Sequence, residues 1–133
     1  MSEQEQYFFL NKPFWAPPDW VFGPVWTVLY IVIAISFGVV FYKAFKREIS
    51  LSIAAPFALN LIFNLAFTPI QFGLRNLPLA SLDIIAVLAT LLWGMMLVYK
   101  IRELRWVFFA NVPYLLWTTF ATALQLTITW MNR

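Results

Sequence analysis

Four apolar runs in this sequence are each long enough to cross a bilayer: about Trp20–Phe45, Leu51–Phe72, Pro78–Tyr99 and Trp106–Trp130. A hydrocarbon core takes roughly 20 helical residues to span. Within it every backbone N–H and C=O must find its partner inside the protein, and a helix does this within one segment. The chain is therefore expected to be all-α, a polytopic membrane bundle of four transmembrane helices forming a single domain over residues 1–133. Composition agrees: 62% of residues are hydrophobic and 11% charged, against about 45–50% and about 25% in a soluble domain.

Prolines and charges punctuate the runs. Asp19 is placed to cap the first helix, with Pro24 in its first turns, where proline is tolerated. Pro56 and Pro69 lie near the two ends of the second run, and Pro78 opens the third. Pro113 falls inside the fourth and predicts a kink, because it has no backbone N–H to donate. Lys43, Lys46 and Arg47 follow the first run, and Lys100, Arg102 and Arg105 follow the third. The other side holds Lys12, Arg75 and Arg133. The positive-inside rule then puts both basic loops in the cytoplasm and both termini outside.

Several function classes drop out. There is no cysteine and no histidine, so thiolate metal sites, cysteine nucleophiles and histidine-dependent triads are excluded, and any haem would lack a histidine ligand from this chain. No metal site is expected. The net charge of +3 is explained by the loops, so nucleic acid is not expected as a partner. The start, MSEQEQ, is polar and acidic and has no basic n-region of a signal peptide.

Polar residues inside the runs each need an account, because hydrocarbon makes them costly. Asn60 and Asn64 are four apart and share a helix face; so do Trp26 and Tyr30, and so does the stripe Trp117, Ala121, Gln125. The plainer reading of the amides is hydrogen bonding between helices. The other is a pocket of rings and amides for a flat, largely apolar ligand. Asp83, near the start of the third run, suits a structural role: helix capping or pairing with Arg75. Trp20, Trp106 and Trp130 suit an interfacial belt, whereas Trp26 and Trp117 lie deeper.

The stretch FWAPPDWVFGPVW, Phe14–Trp26, packs three tryptophans and three prolines into thirteen residues. Extended to KPFWAPPDWVFGPVWTVLY, Lys12–Tyr30, it resembles the signature K-P-x-W-x-P-P-x-W-x-x-G-P-V-W-x-x-L-Y of the translocator protein, or tryptophan-rich sensory protein (TspO/MBR), family. NLAFTPIQFGLRN, Asn64–Asn76, resembles that family's N-W-A-W-P-P-x-F-F-G-x-R. LASLDIIAV, Leu79–Val87, is similar to its A-L-V-D-L-L-L-V, and VPYLLWTTFATALQ, Val112–Gln125, to its Y-P-Y-L-x-W-x-x-F-A-T-x-L-N. Four ordered motifs are far more specific than one.

The resemblance implies a five-helix membrane bundle, commonly dimeric, whose pocket binds porphyrins and haem-like tetrapyrroles. In animal members it also binds cholesterol and drug-like molecules. Trp26, Asn64, Trp117 and Ala121 match positions that line or border that pocket, with Asn60 a weaker candidate. Trp15, Pro17, Pro18 and Trp20 match its mouth, and Arg75 and Asp83 match structural residues. Together with Tyr30 and Gln125 from the periodicity, these are the site candidates.

The sequence also departs from the family. Only Met1–Asn11 precedes the W-x-P-P motif, too short to span, so the usual first helix is expected to be absent. A second copy, another membrane subunit or lipid is then expected to cover the exposed wall. Gln125 is followed by Leu126 rather than the tyrosine of the animal sterol motif, so sterol binding is not expected. Val98 precedes Tyr99 where mammalian members carry a tryptophan.

The leading expectation is a membrane tetrapyrrole-binding translocator or stress sensor that requires no cofactor, with porphyrin or haem as ligand. A light-dependent porphyrin-degrading enzyme using Trp26 and Trp117 is the first alternative. A small proton-coupled exporter, for which Asp83 is the only intramembrane carboxylate, and a structural subunit are the others.

Overall fold

The apolar runs form helices whose irregularities fall near the prolines. The structure is a computed structural model and describes residues 10–132. Helix α1 is Phe22–Phe45 and α2 is Leu51–Thr68, which continues through a π-helical turn, Pro69–Gly73. Helix α3 is Leu77–Tyr99, α4 the short Arg105–Ala110, and α5 Val112–Met131. There is no strand among the described residues. Three helices are long and apolar enough to cross a membrane, and Arg102–Ala110 with Val112–Met131, bent by 43°, is a fourth when the pair is counted as one span. The expected short N-terminal lead-in falls largely on Met1–Phe9, outside the described residues.

Local chemistry explains the boundaries. Ser50 accepts the Ser52 N–H at 3.2 Å at the start of α2, and Asn76 accepts the Leu79 N–H at 3.0 Å at the start of α3. Asp19, expected to cap α1, is not the residue directly before it. It opens a 3-10 turn, Asp19–Val21, and the residue directly before α1 is Val21, already in helical conformation. The break in the fourth span lies at Asn111, two residues before the proline expected to kink it. Pro113 sits in the first turn of α5, where its missing N–H costs least. The chain therefore ends one helix and starts another instead of bending through the proline.

Helix α3 is central and packs on α2, α4 and α5, while α1 lies against α2 and α4. Half of α3's apolar window is buried, against 28% for α1 and for α2. Ile31, Ile35, Ile62, Leu65, Leu82 and Met96 point outward, as a lipid-facing surface requires.

One half of the bundle is tightly filled. Phe37 meets Phe57 edge-on at 4.7 Å, and Phe57 lies on Gly94 so closely that a Cβ there would come within 2.9 Å of its ring. A small residue lets α2 and α3 approach. Val40, Val98, Leu104 and Val107 close this end. Asn111 donates to Ser36 Oγ at 3.0 Å and to the Val107 carbonyl at 2.9 Å. At the far end Asn132 ties the two ends of the described chain together: its Oδ1 accepts the Asn11 N–H at 3.1 Å, and its Nδ2 donates to the Asn11 carbonyl at 2.9 Å.

Candidate functional site

A chain of hydrogen bonds crosses the middle of the bundle. Tyr30 Oη donates to Asn64 Oδ1 at 2.9 Å, and Asn64 Nδ2 donates to Tyr114 Oη at 2.8 Å. Tyr114 Oη donates to Asn60 Oδ1 at 2.9 Å, and Asn60 Nδ2 donates to the Val87 carbonyl at 2.9 Å and Thr90 Oγ1 at 3.3 Å. One residue thus orients the next from α1 through α2 and α5 to α3. Each buried amide uses both of its ends, which is how polar groups are accommodated away from water.

Beyond this chain the helices diverge around a cavity of about 390 Å³, within the range of small-molecule sites. Helix α1 contributes Phe22, Trp26 and Tyr30, spaced four apart on one face. Helix α2 and its π turn contribute Asn64, Phe67, Thr68 and Gln71; α3 contributes Ile84 and Val87; α5 contributes Trp117, Thr118, Ala121 and Gln125. The rings brace one another. Trp26 lies 5.4 Å from Tyr30 and 6.3 Å from Tyr114, and Phe22 meets Trp117 edge-on at 5.7 Å. Phe120 joins Trp117, at 5.6 Å, to Trp15, at 5.8 Å.

Six of the sequence candidates therefore meet on one wall: Trp26, Tyr30, Asn64, Trp117, Ala121 and Gln125. Asn60 does not. It is fully buried one turn deeper than Asn64, behind Tyr114, and its amide is spent on α3. Of the expected mouth residues, Trp15 reaches the wall only through Phe120. Trp20 is exposed, and the Pro18 carbonyl accepts the Val21 N–H at 3.1 Å in the lead-in turn. Pro17, like Pro18 and Trp20, does not line the cavity.

The expected partnership of Asp83 with Arg75 is not formed among the described residues. Asp83 is buried two turns into α3, too far in to cap it; Asn76 holds that position. Arg75 is exposed and adopts a left-handed φ of 53° in the turn between the π segment and α3. Among the described residues no cluster of three or more acidic side chains could hold a metal ion.

Among the wall residues that were not sequence candidates, two are polar and buried. Gln71 and Thr118 are both buried, and Gln71 Oε1, Thr118 Oγ1 and the indole Nε1 of Trp117 have no hydrogen-bond partner among the described residues. Of five such atoms, these three belong to residues that line the cavity. The signal for Gln71 was present: the segment QFG stands where the family pattern reads F-F-G.

The TspO/MBR family model matches residues 1–131. The chain belongs to the TspO/MBR family. Relatives of this family member include the uncharacterized membrane protein YtaB of Bacillus subtilis, 35% identical over 98% of this chain and 82% of YtaB. The tryptophan-rich protein TspO of Chlorobaculum tepidum is 36% identical over 95% of this chain and 78% of its own length. The human translocator protein is 33% identical over 90% of this chain and 70% of its own. Membership and the apolar helices make this an integral, multi-pass membrane protein.

Proposed function

We propose that this protein binds a tetrapyrrole, a porphyrin or haem, in its intramembrane cavity and acts as a translocator or stress sensor. The observation that carries the reading is the meeting of Trp26 and Trp117, from α1 and α5, on the wall of one cavity. Flat aromatic ligands stack on such rings, and a few polar groups among apolar walls orient their edges. Titration of the purified protein with protoporphyrin tests it. Saturable quenching of tryptophan fluorescence at micromolar ligand is expected, with the amplitude reduced in Trp26→Phe and in Trp117→Phe. Quenching that never saturates, or that is unchanged in both variants, defeats the reading.

The same two indoles favour a second reading, light-dependent porphyrin breakdown, because tryptophan can donate an electron to an excited ring. Illuminated protein should then bleach bound protoporphyrin faster than Trp26→Phe and Trp117→Phe do; equal rates remove this role. The exporter reading has less support, since its one carboxylate, Asp83, is not on the cavity wall.

The loop charges support a cytoplasmic position for 46–50 and 100–104. The chain has no cysteine, so single cysteines at Arg47 and Arg75 report topology directly. An impermeant maleimide added to intact cells should label only the second; the reverse pattern inverts the orientation.

A further inference from the structure

We infer that the turn joining α3 to α4 holds an anionic phospholipid: Arg105, with Lys100 and Arg102, grips the headgroup phosphate, and the acyl chains lie along Tyr99, Phe108 and Phe109. The inference is independent of what the cavity binds.

The first support is an arginine fixed in place. Arg105 Nε donates to the Tyr99 carbonyl, at the end of α3, at 3.0 Å. Its guanidinium carbon lies 4.7 Å from the centre of the Tyr99 ring. A guanidinium is a rigid fork of N–H donors, and those on its two terminal nitrogens stay available to an anion. A side chain already ordered loses less freedom when it binds.

The second support is charge without countercharge. In the loop between α1 and α2, Lys43 pairs with Glu48 at 3.6 Å, and Lys46 lies over the Tyr42 ring at 5.8 Å. In the turn between α3 and α4, Lys100 and Arg102 are exposed, and neither they nor Glu103 forms an ion pair among the described residues. The backbone keeps the turn tight. The Ile101 N–H donates to the Val98 carbonyl at 3.1 Å and the Leu104 N–H to the Ile101 carbonyl at 2.9 Å, with Leu104 buried as the anchor. A cation at a helix C-terminus complements the dipole. Arg105 already does this at the Tyr99 carbonyl, so Lys100 and Arg102 are to spare.

The third support is what adjoins the charges. Tyr99, Phe108 and Phe109 form one cluster, with ring centres 4.9 to 6.3 Å apart, and Tyr99 and Phe109 are exposed. On a membrane protein such surface meets acyl chains, and tyrosine sits at headgroup level. Cations with apolar rings directly beside them fit the two ends of a phospholipid. Basic pockets between membrane helices hold anionic headgroups in this way. Phosphatidylcholine carries the same phosphate, but it brings a choline cation against three like charges; phosphatidylglycerol does not.

Native mass spectrometry of the full chain in detergent tests this, with palmitoyl-oleoyl phosphatidylglycerol and its phosphatidylcholine counterpart as probes. Phosphatidylglycerol should bind wild type more tightly than phosphatidylcholine by about tenfold or more. Lys100→Gln combined with Arg102→Gln removes two exposed cations and should weaken phosphatidylglycerol about 25-fold, from about fivefold per cation near a lipid surface. Phosphatidylcholine should be unchanged. Arg105→Gln should weaken phosphatidylglycerol at least about fivefold, and Arg105→Lys, which keeps the charge without the fork, should recover part of the loss. Glu103→Gln should tighten it. Lys46→Gln combined with Arg47→Gln removes the same charge from the neighbouring loop and should change binding less than about twofold.

Equal losses in the two double variants would reduce the effect to net charge, and equal retention of the two lipids would remove the headgroup preference; either overturns the site. So does competition by millimolar inorganic phosphate, which would mark a site for a free anion instead of a lipid.

Discussion

The two halves of the bundle are built from the same helices and solve different problems. Toward the basic loops, rings and aliphatic chains fill the space between helices: Phe37 on Phe57, Phe57 on Gly94, with Val40, Val98, Leu104 and Val107 sealing the end. Toward the tryptophan-rich lead-in, rings that brace one another surround a cavity. The boundary is the hydrogen-bond chain from Tyr30 to Thr90. In lipid the drive to associate comes from close packing and polar contacts more than from removal of water. The filled half can then hold the fold while the other half keeps space for a ligand.

Substitutions can break this contrast, starting with the filled half. Gly94→Val places side-chain atoms where the Phe57 ring already lies. Forcing α2 and α3 apart should cost about 3 kcal/mol, at the upper end of overpacking effects, and show as a large fall in Tm in detergent. A Tm near wild type would mean that Phe57 turns aside freely and that this half is not close-packed.

At the boundary, Tyr114→Phe keeps the ring but strips the hydroxyl from between Asn60 and Asn64. Transmembrane hydrogen bonds contribute modestly, since the unfolded chain in the membrane also finds partners, so a loss of about 1–2 kcal/mol is expected in a denaturant titration. The same variant frees Asn64 to reorient and should alter ligand affinity more than Asn60→Leu does, because Asn64 lines the cavity and Asn60 does not. Equal effects on binding would erase the distinction between wall and support.

The smallest effect is expected at the rim. Arg75 holds a left-handed φ of 53° and is exposed. Arg75→Asn suits that backbone better and should raise stability by a few tenths of a kcal/mol, up to about 1. A clear loss of stability would instead assign the guanidinium a partner in the folded protein.

Much of this architecture was legible because membrane helices announce themselves by length and hydrophobicity. The first three apolar runs each fold as one helix, the second with its π turn: Phe22–Phe45, Leu51–Gly73 and Leu77–Tyr99. The stripes Trp26–Tyr30 and Trp117–Ala121–Gln125 each line the cavity from one helix, since a fixed helical period decides what shares a side. What spacing could not decide was depth. Asn60 and Asn64 share a face, yet one turn of helix and the Tyr114 ring separate a buried strut from a wall residue. Nor could spacing reveal the exchange of a kink at Pro113 for a break at Asn111, where the Asn111 amide donates to Ser36 Oγ on α1.

By itself the sequence determined the all-α membrane class, the family and which rings and amides share a helix face, because these follow from hydropathy, period and local motif. Only the tertiary structure decided which faces meet, which amides are consumed by neighbours, and that Gln71 and Thr118 join the cavity lining. Those outcomes depend on how helices distant in sequence pack together, and no local pattern encodes that contact.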